Sequence, residues 1–239
     1  MTLIVSLKGQ DGIVLASDSR GTIGDPRGLT AVNDTHKKIF KLSNSCGVAT
    51  SGASEMCNRL IDSFKKHLED ENLVDVDPIA NEFHTWGRQQ YRGWFGARQF
   101  ISSGQTVDQR PNITLIMTGY NDNDINQSRI YLFSSSLDFA PQLCNSGHML
   151  AGVPQYAIYL IHRLYNPNMM LNNIKSLAAY LIQETATQDP KVGGPIKIAE
   201  ITISSGYNEL SDQMVDDIVQ GNEQQNASLR NFFFPEEQS

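Results

Sequence analysis

The sequence predicts an α+β protein in which two antiparallel sheets pack face to face and carry helix pairs on their outer faces. Three observations predict it. The chain opens on two apolar runs, Leu3 to Leu7 and Ile13 to Ala16, around Gly9-Gln10-Asp11-Gly12, which reads as a β-hairpin. Helical periodicity then arrives in pairs of segments, not once after every strand, which argues against a parallel sheet built from βαβ units. The resulting order is strands, two helices, strands, two helices, strand.

Each element has its own warrant. Gly21 to Asp34 is rich in Gly, Asp, Pro and Thr and reads as a loop. Lys38 to Leu42 and Gly47 to Ser51, split by Ser43-Asn44-Ser45, read as a second hairpin. Gly52-Ala53-Ser54 opens a helix with Met56, Leu60, Ile61, Phe64 and Leu68 on one face. Asp75-Val76-Asp77-Pro78 starts the next, with Pro in its first turn. Its later part mixes Arg88, Arg92 and Arg98 with Tyr91, Trp94 and Phe95. Such a mixture can serve nucleic acid, but a packed helix with snorkelling arginines is the simpler reading. Ser102 to Pro111 reads as a polar loop, and Ile113–Gly119 with Arg129–Ser134 as a strand pair. The Asn121-Asp122-Asn123-Asp124 cluster between them lacks the Gly and distal Glu of a calcium loop and reads as a turn. Phe139–Leu143 and Met149–Ala151 read as strand ends. Pro154 to Tyr165 and Leu171 to Gln188 are helices, separated by Asn166-Pro167-Asn168. Ile196 to Ile203 is a strand. The acidic remainder has room for a helix from Glu209 to Val219, and the apolar Asn231-Phe232-Phe233-Phe234-Pro235 is expected to dock on a neighbour or on the same domain.

Composition narrows the function. At 239 residues with no internal repeat or linker, the simplest reading is one domain over 1–239 with a polar C-terminal extension from about 206. A net charge of -7 argues against nucleic acid or an anionic membrane as partner. No apolar run reaches membrane-span length, and the N-terminus does not read as a secretory signal. Cys46, Cys57 and Cys144 have no metal or redox spacing and suit a reduced, cytoplasmic compartment. The five histidines share no ligand spacing, so neither metal nor cofactor is expected. The familiar motifs of serine hydrolases, zinc peptidases, nucleotide-binding loops and dinucleotide folds are missing.

What remains is a set of polar residues at strand ends. If Met1 is removed, Thr2 holds a hydroxyl and an α-amine on one rigid strand, an activated-nucleophile arrangement within a single residue. Asp18 closes the neighbouring strand, level with Thr2. Lys38 begins the next strand. Gly52 lies where a strand turns into a helix, where a backbone N–H can serve as an oxyanion donor. Taken singly, Asp18 is as well a turn residue and Lys38 a surface charge.

Thr2, Asp18-Ser19-Arg20-Gly21-Thr22, Lys37-Lys38-Ile39-Phe40 and Gly47-Val48-Ala49-Thr50-Ser51-Gly52, in that order and spacing, resemble the proteasome β-subunit family. The peptidase subunit of the bacterial two-component ATP-dependent protease is similar. Both are N-terminal-nucleophile hydrolases. Asp189-Pro190-Lys191-Val192-Gly193-Gly194 resembles the family's Asp-x-x-Ser-Gly-Gly stretch. The resemblance spans roughly Thr2 to Ile203 and implies a four-layer αββα sandwich. It implies a threonine-type endopeptidase in which Met1 is removed, Thr2 Oγ attacks a peptide carbonyl and the Thr2 α-amine is general base. In that scheme Lys38 activates Thr2, Asp18 holds Lys38, the Gly52 N–H binds the oxyanion and Asp189 supports the amine. Thr22 and Gly52 would align substrate as an added strand. Side-chain selection would fall to Gly21, His36, Phe40, Thr50, Ser54 and Asn58. The implied partners are a peptide or unfolded protein as substrate and copies of the chain in a homo-oligomeric ring, with room for an ATP-dependent unfoldase. Two rivals share the fold: a catalytically silent ring subunit and an amidohydrolase acting on small amides. A peptide-binding module using the sheet edge is a third.

The chain departs from the family pattern at two places. Leu150-Ala151-Gly152-Val153 stands where the family usually has Ser-Gly, and Val192 where the later stretch has Ser. Both changes remove hydroxyls from the surroundings of Thr2.

Overall fold

A computed structural model describes residues 2–25, 28–96, 99–102, 105–108 and 110–234. Met1, Arg98 and Pro235, all used in the sequence reading, lie outside the described residues. In chain order, the first strands are β1 (Leu3–Lys8), β2 (Ile13–Ser17), β3 (Gly21–Asp25), β4 (Gly28–Asn33), β5 (Ile39–Lys41) and β6 (Cys46–Gly52). Helices α1 (Ser54–Glu71) and α2 (Val76–Phe95) follow, then β7 (Gln99–Ser102), β8 (Gln105–Asp108), β9 (Ile113–Asn121), β10 (Asp124–Ser134), β11 (Gln142–Leu143) and β12 (His148–Gly152). The chain continues through α3 (Gln155–Leu164), α4 (Leu171–Gln188), β13 (Lys197–Thr202), β14 (Gly206–Glu209) and α5 (Asp212–Phe233).

Two five-stranded antiparallel sheets form, in the orders β12-β1-β2-β13-β14 and β11-β10-β9-β6-β5. Three apolar layers show how they stack. Ile4, Ile13, Leu15, Ala49, Ile116 and Ile201 fill the space between the sheets. Leu3, Val5, Leu7 and Val14 alternate onto the other face of the first sheet and meet Ile174, Ala178, Leu181 and Ile182 of α4. Val48, Leu115 and Met117 do the same on the second sheet against Leu60, Ile61, Phe64 and Phe83 of α1 and α2. Three cores separate four layers, so the expected αββα sandwich is the fold.

Five expectations need correction. Gly21 to Asp34, which reads as a loop, contains the β3–β4 hairpin, and Ser102 to Pro111, the other such stretch, contains β8, paired with β7. Both hairpins form two-stranded sheets of their own, apart from the two main sheets. Residues 206–209 form β14, an edge strand on β13. The final helix starts at Asp212, where Ser211 caps it by accepting from the Met214 N–H, and runs to Phe233. Only Val215 is buried in it. Ile218 and Val219 pack at the edge of the same core, and polar bonds hold the turns that follow: the Asn222 amide reaches the Ser176 carbonyl and Gln183, and Asn226 reaches Glu184. Apolar periodicity cannot report such contacts. At its end Phe232, Phe233 and Phe234 are exposed, so the expected docking on the same domain is not seen. The Asn121–Asp124 turn forms as read, with Asp122 and Asn123 at φ 53° and 51°, the left-handed pair a tight hairpin needs.

Candidate active site

The register of the first hairpin builds one side of the site. Ile4 pairs with Ser17, so Asp18 lies beside Leu3 at the strand end that begins with Thr2. The Asp18 N–H donates to the Leu3 carbonyl at 3.4 Å. The second hairpin brings the other side: the Thr50 N–H donates to the Lys38 carbonyl at 2.8 Å. The His36 N–H donates to the Ser19 carbonyl at 3.1 Å and lays that segment along residues 18–20.

Three side chains meet there, all buried: Thr2, Asp18 and Lys38. The Thr2 hydroxyl donates to Asp18 Oδ1 and accepts from Lys38 Nζ. Lys38 Nζ also donates to Asp18 Oδ1 at 3.0 Å and to the Arg20 carbonyl at 2.7 Å. Its three donors are therefore all used. Asp18 Oδ1 further accepts from the Leu3 N–H at 3.1 Å. Asp18 Oδ2 accepts from the N–H groups of Arg20 and Gly193, each at 3.1 Å. A carboxylate with no solvent exposure needs such a set of donors. Burial pushes the Lys38 ammonium below its ordinary pKa, and the adjacent Asp18 carboxylate works against that shift.

Gly52 closes the site from the second sheet. Its φ of 115° lies in the region that favours glycine, and a Cβ there would stand 2.1 Å from the Asn112 carbonyl oxygen. A cavity of about 50 Å³ opens beside Thr2, lined by Gly21, Thr22, Lys38, Thr50, Gly52 and Ser54, with Arg20, Ser51 and Cys57. Cys57 is no rival nucleophile, since burial pushes its thiol up to about 12.

The remaining sequence candidates lie elsewhere. Asp189 caps α4, and its carboxylate accepts from the Lys191 N–H at 2.8 Å within its own turn. That turn leads to Gly193, whose N–H reaches Asp18 and whose carbonyl accepts from the Ser19 N–H at 3.2 Å. Asp189 thus touches the site through its loop. The His36 ring packs on Gly21, where an added Cβ would stand 2.0 Å from its Cδ2. His36 lines a separate cavity of about 440 Å³ with Asp34, Lys37, Pro195, Lys197 and Glu209. Phe40 joins the core under α1 and α2. Asn58 lies in α1, its Oδ1 buried with no hydrogen-bond partner among the described residues. Sequence reasoning missed the Arg20 carbonyl and the Gly193 N–H as partners of the buried pair. Backbone groups carry no side-chain signature, although the nearby Gly193-Gly194 was a visible sign of a tight loop.

The two departures are apolar in space as well as in sequence. Ala151 pairs opposite Ile4 and faces the inter-sheet core. Val192 is buried on the α4 side of the first sheet.

Two antiparallel sheets between helix layers, with a buried Thr-Lys-Asp cluster at the start of the first strand, define the N-terminal-nucleophile hydrolase class of fold. The sequence model of the proteasome subunit family matches residues 2–201. The chain belongs to the proteasome subunit family. Among curated relatives it is 21% identical to a proteasome subunit beta of Methanopyrus kandleri, over 91% of this chain and 95% of that one. It is 23% identical to a proteasome subunit beta 1 of Saccharolobus islandicus, over 87% of this chain and 88% of that one. A proteasome subunit beta 2 of Sulfurisphaera tokodaii is 22% identical over 87% and 89%. Among the described residues no helix is long and apolar enough to cross a membrane.

Proposed function

We propose that this chain is a threonine-type endopeptidase that cleaves peptide bonds of protein substrates through Thr2 after Met1 is removed. The observation that carries the reading is the hydrogen bonding of the Thr2 hydroxyl, accepting from Lys38 and donating to Asp18 in a buried cluster. An ammonium aimed at Oγ stabilises the negative charge that grows as the oxygen leaves its proton. The proton goes to the freed Thr2 α-amine, which titrates near pH 8 and is partly neutral at cell pH. Oγ bonds to the substrate carbonyl carbon, and the Gly52 N–H receives the oxyanion. Collapse expels the new amine with a proton from the α-ammonium. Water then cleaves the ester with the α-amine as base. Lys38 stays charged throughout, held by Asp18 and the Arg20 carbonyl. Asp189 acts by shaping the turn that delivers the Gly193 N–H to Asp18. The small cavity lined by Thr50, Ser54 and Gly21 receives the side chain next to the cleaved bond.

The same reading places the chain in a homo-oligomeric ring of the cytoplasm, with unfolded protein as substrate and an ATP-dependent unfoldase as its feeder. The test is intact mass for Met1 together with turnover of fluorogenic peptides by the assembled protein. Thr2→Ala should abolish turnover and labelling by a covalent N-terminal-threonine probe. Met1 retained in assembled protein, or wild-type turnover by Thr2→Ala, would sink the reading.

A further inference from the structure

We propose that Ser51 is a positioning residue for Thr2: its hydroxyl hydrogen-bonds the Thr2 main-chain nitrogen once that nitrogen is an amine. The inference rests on the Thr2 reading above and adds a residue to it.

The geometry comes from strand alternation. Along β6, Gly47, Ala49 and Ser51 point toward the first sheet, while Val48 and Thr50 point away. Ala49 packs in the inter-sheet layer with Ile4. At Gly47 an added Cβ would stand 2.9 Å from Leu15 Cδ1, so the two sheets touch there. Ser51 continues this face by one step and meets the first sheet where Thr2 begins it. Gly152 marks the meeting point. A Cβ on Gly152 would stand 1.9 Å from the Thr2 carbonyl oxygen and 2.9 Å from Ser51 Oγ. Gly152 is at φ 94°, and the Val153 N–H holds the Thr2 carbonyl at 2.8 Å. The Ser51 hydroxyl therefore faces the Thr2 main chain across a position kept free of side chain. It is buried and lines the cavity that contains Thr2.

The chemistry asks for such a group. A neutral amine used as base must be held with its lone pair toward the Thr2 hydroxyl, and a hydroxyl that can donate or accept serves both of its protonation states. The other supports are committed or apolar. Ala151 and Val192 carry no polar atom in their side chains. The Asp189 carboxylate is turned to its own loop, where Oδ1 accepts from the Lys191 N–H, and the proton of the Ser19 hydroxyl goes to the Pro195 carbonyl at 2.6 Å. Thr50 points to the opposite face, on the side of Cys57.

The experiment compares assembled wild type with Ser51→Ala, Ser51→Thr and the double variant Ser51→Ala/Ala151→Ser, each checked by mass for loss of Met1. For Ser51→Ala we expect kcat to fall roughly tenfold, the scale of one hydrogen bond. KM should hold within about twofold, and the acid limb of the kcat profile should move by about half a pH unit or more, because the lost bond changes the amine's pKa. Ser51→Thr keeps a hydroxyl and should keep the wild-type limb. Ala151→Ser returns a hydroxyl from β12 and should restore both kcat and the limb. Wild-type kcat and pH profile in Ser51→Ala would overturn the inference. So would a loss of kcat with an unmoved limb and no rescue, which marks a packing role. Wild-type protein that keeps Met1 would defeat the Thr2 reading itself, before any Ser51 variant is compared.

Discussion

The layer between the two sheets has two unlike ends. Through its middle, Ile4, Ile13, Leu15, Ile116 and Ile201 are fully buried, with no polar side-chain atom to satisfy. At the Thr2 end, equally closed to solvent, lie a carboxylate, an ammonium and a hydroxyl. These residues hold by area, at about 25 cal/mol per Å² removed from water, around a few buried hydroxyls such as that of Tyr120, which donates to the Thr202 carbonyl at 3.1 Å. The Thr2 end gains nothing of that kind and persists because each charge meets donors or acceptors of fixed geometry: five for Asp18 and three for Lys38. Half of those partners are main-chain groups, at the start of β1 and in the loops at Arg20 and Gly193, where no ladder claims the N–H and C=O groups. A buried polar cluster of this kind belongs at the sandwich edge, and it is stable only as a set.

The comparison can be broken from either end. The largest effect is expected for Asp18→Ala. It leaves Lys38 buried without its counter-charge and strips five hydrogen bonds, so stability should fall by about 3–5 kcal/mol, with turnover down by more than about 10²-fold. Urea unfolding and peptide turnover measure the two. A variant as stable as wild type would show that the pair is not coupled. Next comes Ile116→Ala, a cavity in the apolar middle. About 2–5 kcal/mol should be lost while kcat stays within about twofold, and a collapse of kcat in the folded variant would refute the separation of the two ends. The smallest effect is in pH. Burial holds the Lys38 pKa below 10.5 in the fold. As pH rises from that lowered value toward 10.5, the unfolded chain binds more protons at this site, so the native state gains. Wild type should therefore gain stability relative to Lys38→Met across that window. A difference that shrinks with pH would give the wrong sign.

Much of the fold was legible because its main elements each bury one face. The opening hairpin, the faces of α1 and α4, and the pairing of helices all left apolar periods in the sequence. α4 was read from Leu171 to Gln188, the span it has. β3–β4 and β7–β8 form separate two-stranded sheets and most of α5 is exposed, and none of them shows a long apolar period in the sequence. In the site, Thr2, Asp18 and Lys38 could be named from the sequence because the hairpin registers bring them together. The contributions of the Arg20 carbonyl and the Gly193 N–H could not, since any residue supplies those groups. Phe40 follows from strand alternation, since Ile39 faces the other sheet, whereas the setting of His36 against Gly21 is not encoded in spacing.

Thr2 stands at the head of a strand bonded on both sides, to β2 and to β12, with its carbonyl fixed by Val153. On the proposed reading the nucleophile therefore sits on a strand with neither edge free, and substrates must be brought to it. Any polypeptide joined to the Thr2 nitrogen leaves the fold at this one point, beside the cavity that Thr2 lines. Engineered tags therefore belong at the other terminus, because an N-terminal fusion would obstruct the cleft it was meant to leave untouched.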